Sequence, residues 1–263
     1  MQLNSELAGE KVTDYLLVHG AGQGAWSWGK VWGHMTAPVE HPPRLYRPRQ
    51  GVRVRAVDLP GQGSDAADDA GLVDISEGVQ AIARVVEREG FSDYIIAGHE
   101  LGGTVALQAA TELPVAPKRV VLLAGIVPAN RGTPVSAYPL LARCTISLCR
   151  ALGSLVGRDI QVPRGLISGY MCRGLDPMQR VETVGHLGPL PLRMLTQSVT
   201  LNLDALSCPV TYIVLGDDRL ISPSQQRSMA ARIPNATVIE LDAAHQAATQ
   251  KPRELAELLL AVQ

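Results

Sequence analysis

A carboxylate stands where a turn would hold it up for reaction. Gly98-His99-Glu100-Leu101-Gly102-Gly103 follows an apolar run at 93–97 and opens a helical pattern. Gly-x-nucleophile-x-Gly in that setting is a sharp strand-to-helix turn that presents only its central side chain. Small flanking residues let the helix and strand approach. Because the central residue is Glu100, no hydroxyl at this position can be acylated. A carboxylate retains two chemistries, attack on an electrophilic carbon and proton transfer as a general acid or base. Further polar residues suited to such work follow other apolar runs: His19, Asp58, Asp217-Asp218 and His245.

Other chemistries find little support. Cys144, Cys149, Cys172 and Cys208 form no CxxC pair and have no nearby histidine at ligand spacing. That argues against a zinc ribbon or disulfide scaffold and fits reduced thiols in a cytoplasmic protein. Neither a dinucleotide fingerprint nor a phosphate loop is present, so no metal or organic cofactor is expected.

These residues need elements to carry them. Apolar runs at 15–18, 52–57, 93–97, 119–123, 211–215 and 237–241 alternate with helical patterns at 75–89, 101–113 and 253–262. This is the rhythm of a parallel sheet with crossover helices. Each run stops at or one residue before glycine, aspartate or histidine, so polar chemistry gathers at the carboxyl ends of the strands, where open α/β sheets bind ligands. Between about 127 and 200 the rhythm breaks: seven prolines from Pro128 to Pro191 punctuate amphipathic pieces such as 140–155. That stretch reads as a helical lid inserted in a single domain, with the core at 12–126 and 201–263. Residues 41–51 read as an irregular loop.

Five motifs, in order, now carry a resemblance. They are His19-Gly20-Ala21-Gly22-Gln23-Gly24-Ala25-Trp26, Asp58-Leu59-Pro60-Gly61-Gln62-Gly63, the Glu100 turn, Gly216-Asp217-Asp218 with Pro223, and Ala243-Ala244-His245. Over nearly its whole length the chain resembles the α/β-hydrolase superfamily. Its first motif is similar to the branch of plant methyl esterases, hydroxynitrile lyases and their bacterial relatives. The resemblance implies the α/β-hydrolase fold, a mostly parallel doubly wound sheet with a helical lid. It implies His245 as base, Asp218 as its acid partner with Asp217 as the alternative, and the backbone N–H groups of Ala21 and Leu101 as oxyanion donors. With an anionic Glu100 beside it, such a hole suits a substrate oxygen that becomes negative away from the carboxylate.

The chain departs from that branch at Glu100, where its members carry serine. Epoxide hydrolases and haloalkane dehalogenases of the superfamily carry aspartate there, one methylene shorter. Gly20 and Gln246 stand where hydroxynitrile lyases use threonine and lysine, which disfavours cyanohydrin cleavage. Asp58 resembles the family's structural turn aspartate. Trp28 and Trp32 read as core, whereas Trp26, Tyr138 and Tyr170 are candidates to touch substrate, the two tyrosines also as acid donors. The arginines Arg44, Arg47, Arg49, Arg53 and Arg55 read as a solvated face.

Three functions follow. In the first, Glu100 and His245 are a general acid/base pair for cyclisation, elimination or isomerisation of a small, mainly apolar metabolite in natural-product tailoring. In the second, Glu100 is a carboxylate nucleophile in an epoxide-hydrolase-like hydrolase. In the third, the chain is a non-catalytic ligand-binding homologue. Lys+Arg 24 against Asp+Glu 25 is too balanced for a nucleic-acid binder. No apolar run approaches the ~20 residues that cross a bilayer, so no membrane partner is expected. A homodimer is left open.

Overall fold

The computed structural model describes residues 12–37, 39–41, 45–47, 51–66 and 69–262, with 39–41 and 45–47 described as backbone. Six strands form one sheet: β1 (Thr13–Val18), β4 (Val52–Val57), β5 (Tyr94–His99), β6 (Arg119–Leu123), β7 (Val210–Leu215) and β8 (Thr237–Leu241). Their order is β4-β1-β5-β6-β7-β8, and every neighbouring pair is parallel. β1, β5 and β7 are buried at every position, as near-continuous apolar strands covered on both faces must be.

Alternation along each strand sends side chains to two cores. Leu16, Val18, Ile96 and Leu122 pack beneath α2 (Ile75–Glu89) and α3 (Leu101–Glu112), while Tyr15, Leu17, Ile95 and Leu123 pack beneath α1 (Gly29–Thr36) and α10 (Pro252–Ala261). Each such leucine or isoleucine stabilises the fold by about 1.5–3 kcal/mol. The α2 boundaries follow from local chemistry. Asp74 accepts from the Glu77 amide, the Glu77 side chain accepts from the Asp74 amide, and Gly90 closes the helix at φ 66°. At the other extreme β8 is an open edge whose Thr237, Val238 and Glu240 are exposed.

A second pair, β2 (Val39–His41) with β3 (Leu45–Arg47), is antiparallel. This corrects the reading of 41–51 as irregular. Three-residue strands are too short to show alternation in a sequence. Arg44 and Arg49 lie outside the described residues, as does the Arg47 side chain. Arg53 pairs with Asp14 and Arg55 with Glu89.

Between β6 and β7 run four helices: α4 (Leu140–Val156), α5 (Arg164–Met171), α6 (Pro177–His186) and α7 (Leu192–Thr196). Backbone and side-chain bonds latch this insertion to core loops. The Gly188 amide donates to the Gly22 carbonyl at 2.8 Å, and the Gly71 amide donates to Asp159 at 2.9 Å. After β7 come α8 (Pro223–Ala230), β8 and the short α9 (Ala247–Gln250). Among the described residues no helix is long and apolar enough to cross a membrane.

Candidate functional site

Glu100 caps α3 with φ 53° and ψ −118°, a region that side chains other than glycine rarely adopt. The surrounding chain holds it there. Its N–H donates to the Leu123 carbonyl, and its own carbonyl accepts from the Gly103 and Ile126 amides. A Cβ on Gly98 would lie 2.5 Å from the Gly102 carbonyl oxygen, and one on Gly102 would lie 2.4 Å from that of His19. The glycines of the turn are therefore required by backbone approach.

The Glu100 side chain is fully buried. Oε2 accepts from the Ala21 amide at 2.6 Å, and the Leu101 amide also stabilises the anion. Tyr138 donates its hydroxyl to Oε1. A Cβ on Gly20 would sit 2.7 Å from Oε2, so the side-chain-free backbone at 20 makes room for the carboxylate. The expectation that the two amides serve a substrate oxygen away from Glu100 is thus corrected, because the carboxylate fills their recess itself. The reason is reach. Cβ, Cγ and the carboxyl carbon of glutamate span the same bonds as Cβ, Oγ and the carbonyl carbon of an acylated serine. Oε2 therefore arrives where an ester carbonyl oxygen would.

The loop that offers the Ala21 amide is held from both sides. Gly22 donates to Gln62 Oε1 at 2.8 Å; His19 Nδ1 donates to the Gly20 carbonyl at 2.8 Å, while its Nε2 accepts from the Leu59 amide at 3.0 Å. Those two contacts fix the His19 tautomer. Asp58 accepts from the amides of Ala25 and Ser64 and from the Ser64 hydroxyl, the structural role expected of it.

His245, in the loop between β8 and α9, is fully buried, with Nδ1 2.8 Å from Asp218 Oδ2. Its Nε2 has no protein partner. Asp218 also accepts from the Leu220 and Ile221 amides and from Gln226. Asp217 is exposed, and the contact seen is from its amide to the Ala243 carbonyl. Asp218 is therefore the imidazole's partner, and the Asp217 alternative falls.

Electrostatics follow from burial and these neighbours. Desolvation lifts the Glu100 carboxyl above its ordinary range, against the opposing pull of His245, Tyr138 and the two amides. Desolvation opposes the charged form of His245, yet the charge and hydrogen bond of Asp218 and the charge of Glu100 raise it overall. The His99 ring lies 4.7 Å from that of His245. Burial and the neighbouring His245 charge hold it well below 6.5, hence neutral.

The remaining candidates are placed differently. Trp28 is core, and Trp32 packs at the edge of the same cluster. Trp26 stacks on His186 of the insertion, with ring centroids 5.1 Å apart. Tyr170, on α5, is half-buried against the insertion-side core. The hydroxyl brought to Glu100 is that of Tyr138, which the irregular stretch before α4 delivers. Sequence reasoning missed Gln62, Gln226 and His99 as supports. Gln226 carries no periodic or motif signal, whereas Gln62, in the Asp58–Gly63 motif, and His99, beside the elbow residue, stood inside recognisable patterns.

A cavity of about 550 Å³ lies under the insertion, with Gly22, Val162, Ile167, Met171, Leu187 and Leu190 among its lining residues. It reaches Gly22, next to Ala21, and Glu100 is not among its lining residues. Among the described residues no group of three histidines, cysteines or carboxylates is arranged to hold a metal.

Comparison with known proteins agrees with this architecture. The alpha/beta hydrolase family profile matches residues 15–258. Methylesterase 9 of Arabidopsis thaliana is 26% identical over 260 residues, covering 94% of this chain and 97% of its own length. An extracellular alpha/beta-hydrolase from a Paenibacillus species, described as structurally and functionally homologous to tobacco salicylic acid binding protein 2, superposes with a TM-score of 0.77 at 19% identity, over 95% of this chain and 98% of its own. A pyrethroid hydrolase from Sphingobium faniae gives 0.70 at 24% identity, over 95% and 97%.

Proposed function

The chain belongs to the alpha/beta hydrolase family and is an enzyme of that fold, and on that footing we propose that it is a hydrolase in which Glu100 is a carboxylate nucleophile. The substrate class is a small, mainly apolar molecule with a strained electrophilic carbon, an epoxide. One observation carries the reading: Oε2 rests on the Ala21 amide while Oε1 faces the Tyr138 hydroxyl. One oxygen is thereby anchored as the future ester carbonyl, and the other is aimed at a proton donor.

The chemistry balances with these groups alone. Oε1 attacks carbon, the ring C–O bond breaks, and the departing oxygen takes the Tyr138 proton. His245 Nε2, free of protein partners, then accepts a proton from water, which adds to the ester carbon. The oxyanion that forms at Oε2 is met by the Ala21 and Leu101 amides. Collapse expels the alkoxide, which takes the proton from His245, and the new Glu100 carboxyl returns a proton to Tyr138. The relatives' name suggests a different substrate, a methyl ester. Attack on its carbonyl would place the oxyanion in competition with Oε2 for the same amides, and the product would be an anhydride.

The proton-transfer reading of Glu100 and His245 keeps one supporting observation, the raised proton affinity of both groups. A single turnover of an aryl or alkyl epoxide panel in ¹⁸O-water separates the two. Label in the Glu100 peptide is expected for the nucleophile, and the ester should accumulate as a covalent adduct in His245→Gln. Product without label would leave proton transfer. Glu100→Gln should lower turnover by roughly 10³-fold or more, and undiminished turnover in that variant would overturn both readings.

A further inference from the structure

The helix α4 leaves most of its surface uncovered. Ala142, Ile146 and Gly153 are its buried positions. Leu140, Leu141, Leu148, Leu152, Leu155 and Val156 stay between 42 and 82% exposed. Leu141, Cys144, Leu148, Leu152 and Leu155 recur at three- and four-residue steps, forming one apolar stripe about 21 Å long at 1.5 Å per residue. Together the six side chains offer on the order of 600 Å² per copy, close to the ~800 Å² per partner that a standard interface buries.

The stripe reads alike in both directions about Leu148. Leu141 and Leu155 lie seven residues to either side, Cys144 and Leu152 four, Thr145 and Ala151 three, and Leu140 and Val156 eight. Such a surface is complementary to itself under a two-fold rotation, the requirement of an isologous contact. We propose that α4 is a homodimer interface, two copies pairing antiparallel with the two-fold axis passing through Leu148. Leu148 then meets its own counterpart, Leu141 meets Leu155, and the small Cys144 receives Leu152. An anionic lipid surface is the competing occupant. It fits less well, because α4 carries two basic residues, Arg143 and Arg150, where lipid-binding helices cluster four to eight. Arg150 is moreover held by the Ser154 hydroxyl at 2.6 Å.

The arrangement has a salt signature. At 100° per residue Arg143 and Arg150, the charged residues of α4, point about 140–160° away from Leu148, so the two-fold leaves the arginines of the two copies on the outer sides of the helix pair. Added salt should therefore leave this apolar dimer intact, whereas it would weaken attachment to anionic lipid. The test is sedimentation equilibrium of the full chain at low and high salt. A dimer in the micromolar range or tighter is expected, undiminished by salt and at least tenfold weaker in Leu148→Glu. Circular dichroism of that variant should show unchanged folding, because the side chain is already exposed. In Leu152→Cys, mild oxidation should give a covalent dimer through Cys144 of the partner subunit, absent from the parent protein. A monomer at all concentrations, or a dimer indifferent to Leu148→Glu, overturns the proposal. So does a monomer that Leu148 docks to phosphatidylserine vesicles.

Discussion

Glu100 is held by three donors, so its neighbours should report on it separately. Tyr138→Phe removes the donor to Oε1 while keeping the ring. Under the nucleophile reading, steady-state epoxide turnover should fall roughly 10²- to 10⁴-fold, the range of a lost general acid. Turnover unchanged in Tyr138→Phe would confine that residue to holding Glu100. Gly20→Ala sets a methyl group 2.7 Å from Oε2, an overpacking that should cost about 1–3 kcal/mol of stability. The cause can be isolated by a double-mutant cycle in urea. In the Glu100→Ala background the nearest clash partner, Oε2, is gone while the Glu100 Cβ at 3.1 Å and His99 Nδ1 at 3.3 Å remain, so the Gly20→Ala penalty should shrink by half or more; a penalty that persisted in full would place the clash elsewhere.

At the scale of elements, position and chemistry are distributed unequally. The α2 capping box stabilises a helix that carries none of the reacting groups: Asp74 accepts from the Glu77 amide and donates its own amide to the Glu77 side chain. Asp74→Ala should lower stability by about 1 kcal/mol and leave turnover unchanged, measured by urea midpoint and initial rates on the same preparation. The strand ends behave otherwise. The loops after β1, β5, β7 and β8 each bring one working group to the same end of the sheet: the Ala21 amide, Glu100, Asp218 and His245. The insertion then adds Tyr138 from above. Parallel strands make this convergence possible, because all their carboxyl ends lie on one side.

For the whole molecule, buried histidines should shape the acid limb of stability. Burial holds His19 below, and His99 well below, the ordinary value of 6.5. Below 6.5 the unfolded chain takes up protons that these two refuse when folded, so their contribution is complete above 6.5 and is lost as pH falls from there. His245 works in the opposite sense. Its raised value favours the folded state below 6.5, and that contribution fades as pH climbs through the folded value. Chemical denaturation between pH 7.5 and 5 should therefore show stability falling with acid, less steeply in His99→Asn. An equal slope in the variant would assign the loss to other groups.

Much of this was legible before any coordinates. Six apolar runs ending at or one residue before glycine, aspartate or histidine determined the strands, the helix at 75–89 and the parallel order of motifs, because periodicity and turn chemistry are local properties of a chain. The elbow was legible as a pattern of glycines around one residue, although only Gly98 answers to contacts within the turn, whereas Gly102 is required by the approach of His19. The choice of Asp218 over Asp217 was not. Two adjacent aspartates differ only in which way the loop after β7 turns them, and that depends on Gln226 and on the Leu220 and Ile221 amides. Nor could the sequence place the Glu100 carboxylate among the Ala21 and Leu101 amides, beside Gly20 and beneath Tyr138. Those groups lie 79, 80 and 38 residues away or next to it along the chain, as with Ala21 and Tyr138, and only closure of the sheet and the insertion brings them within bonding distance. Chemistry at a single residue is written in its type; the partners that decide its use are set by packing.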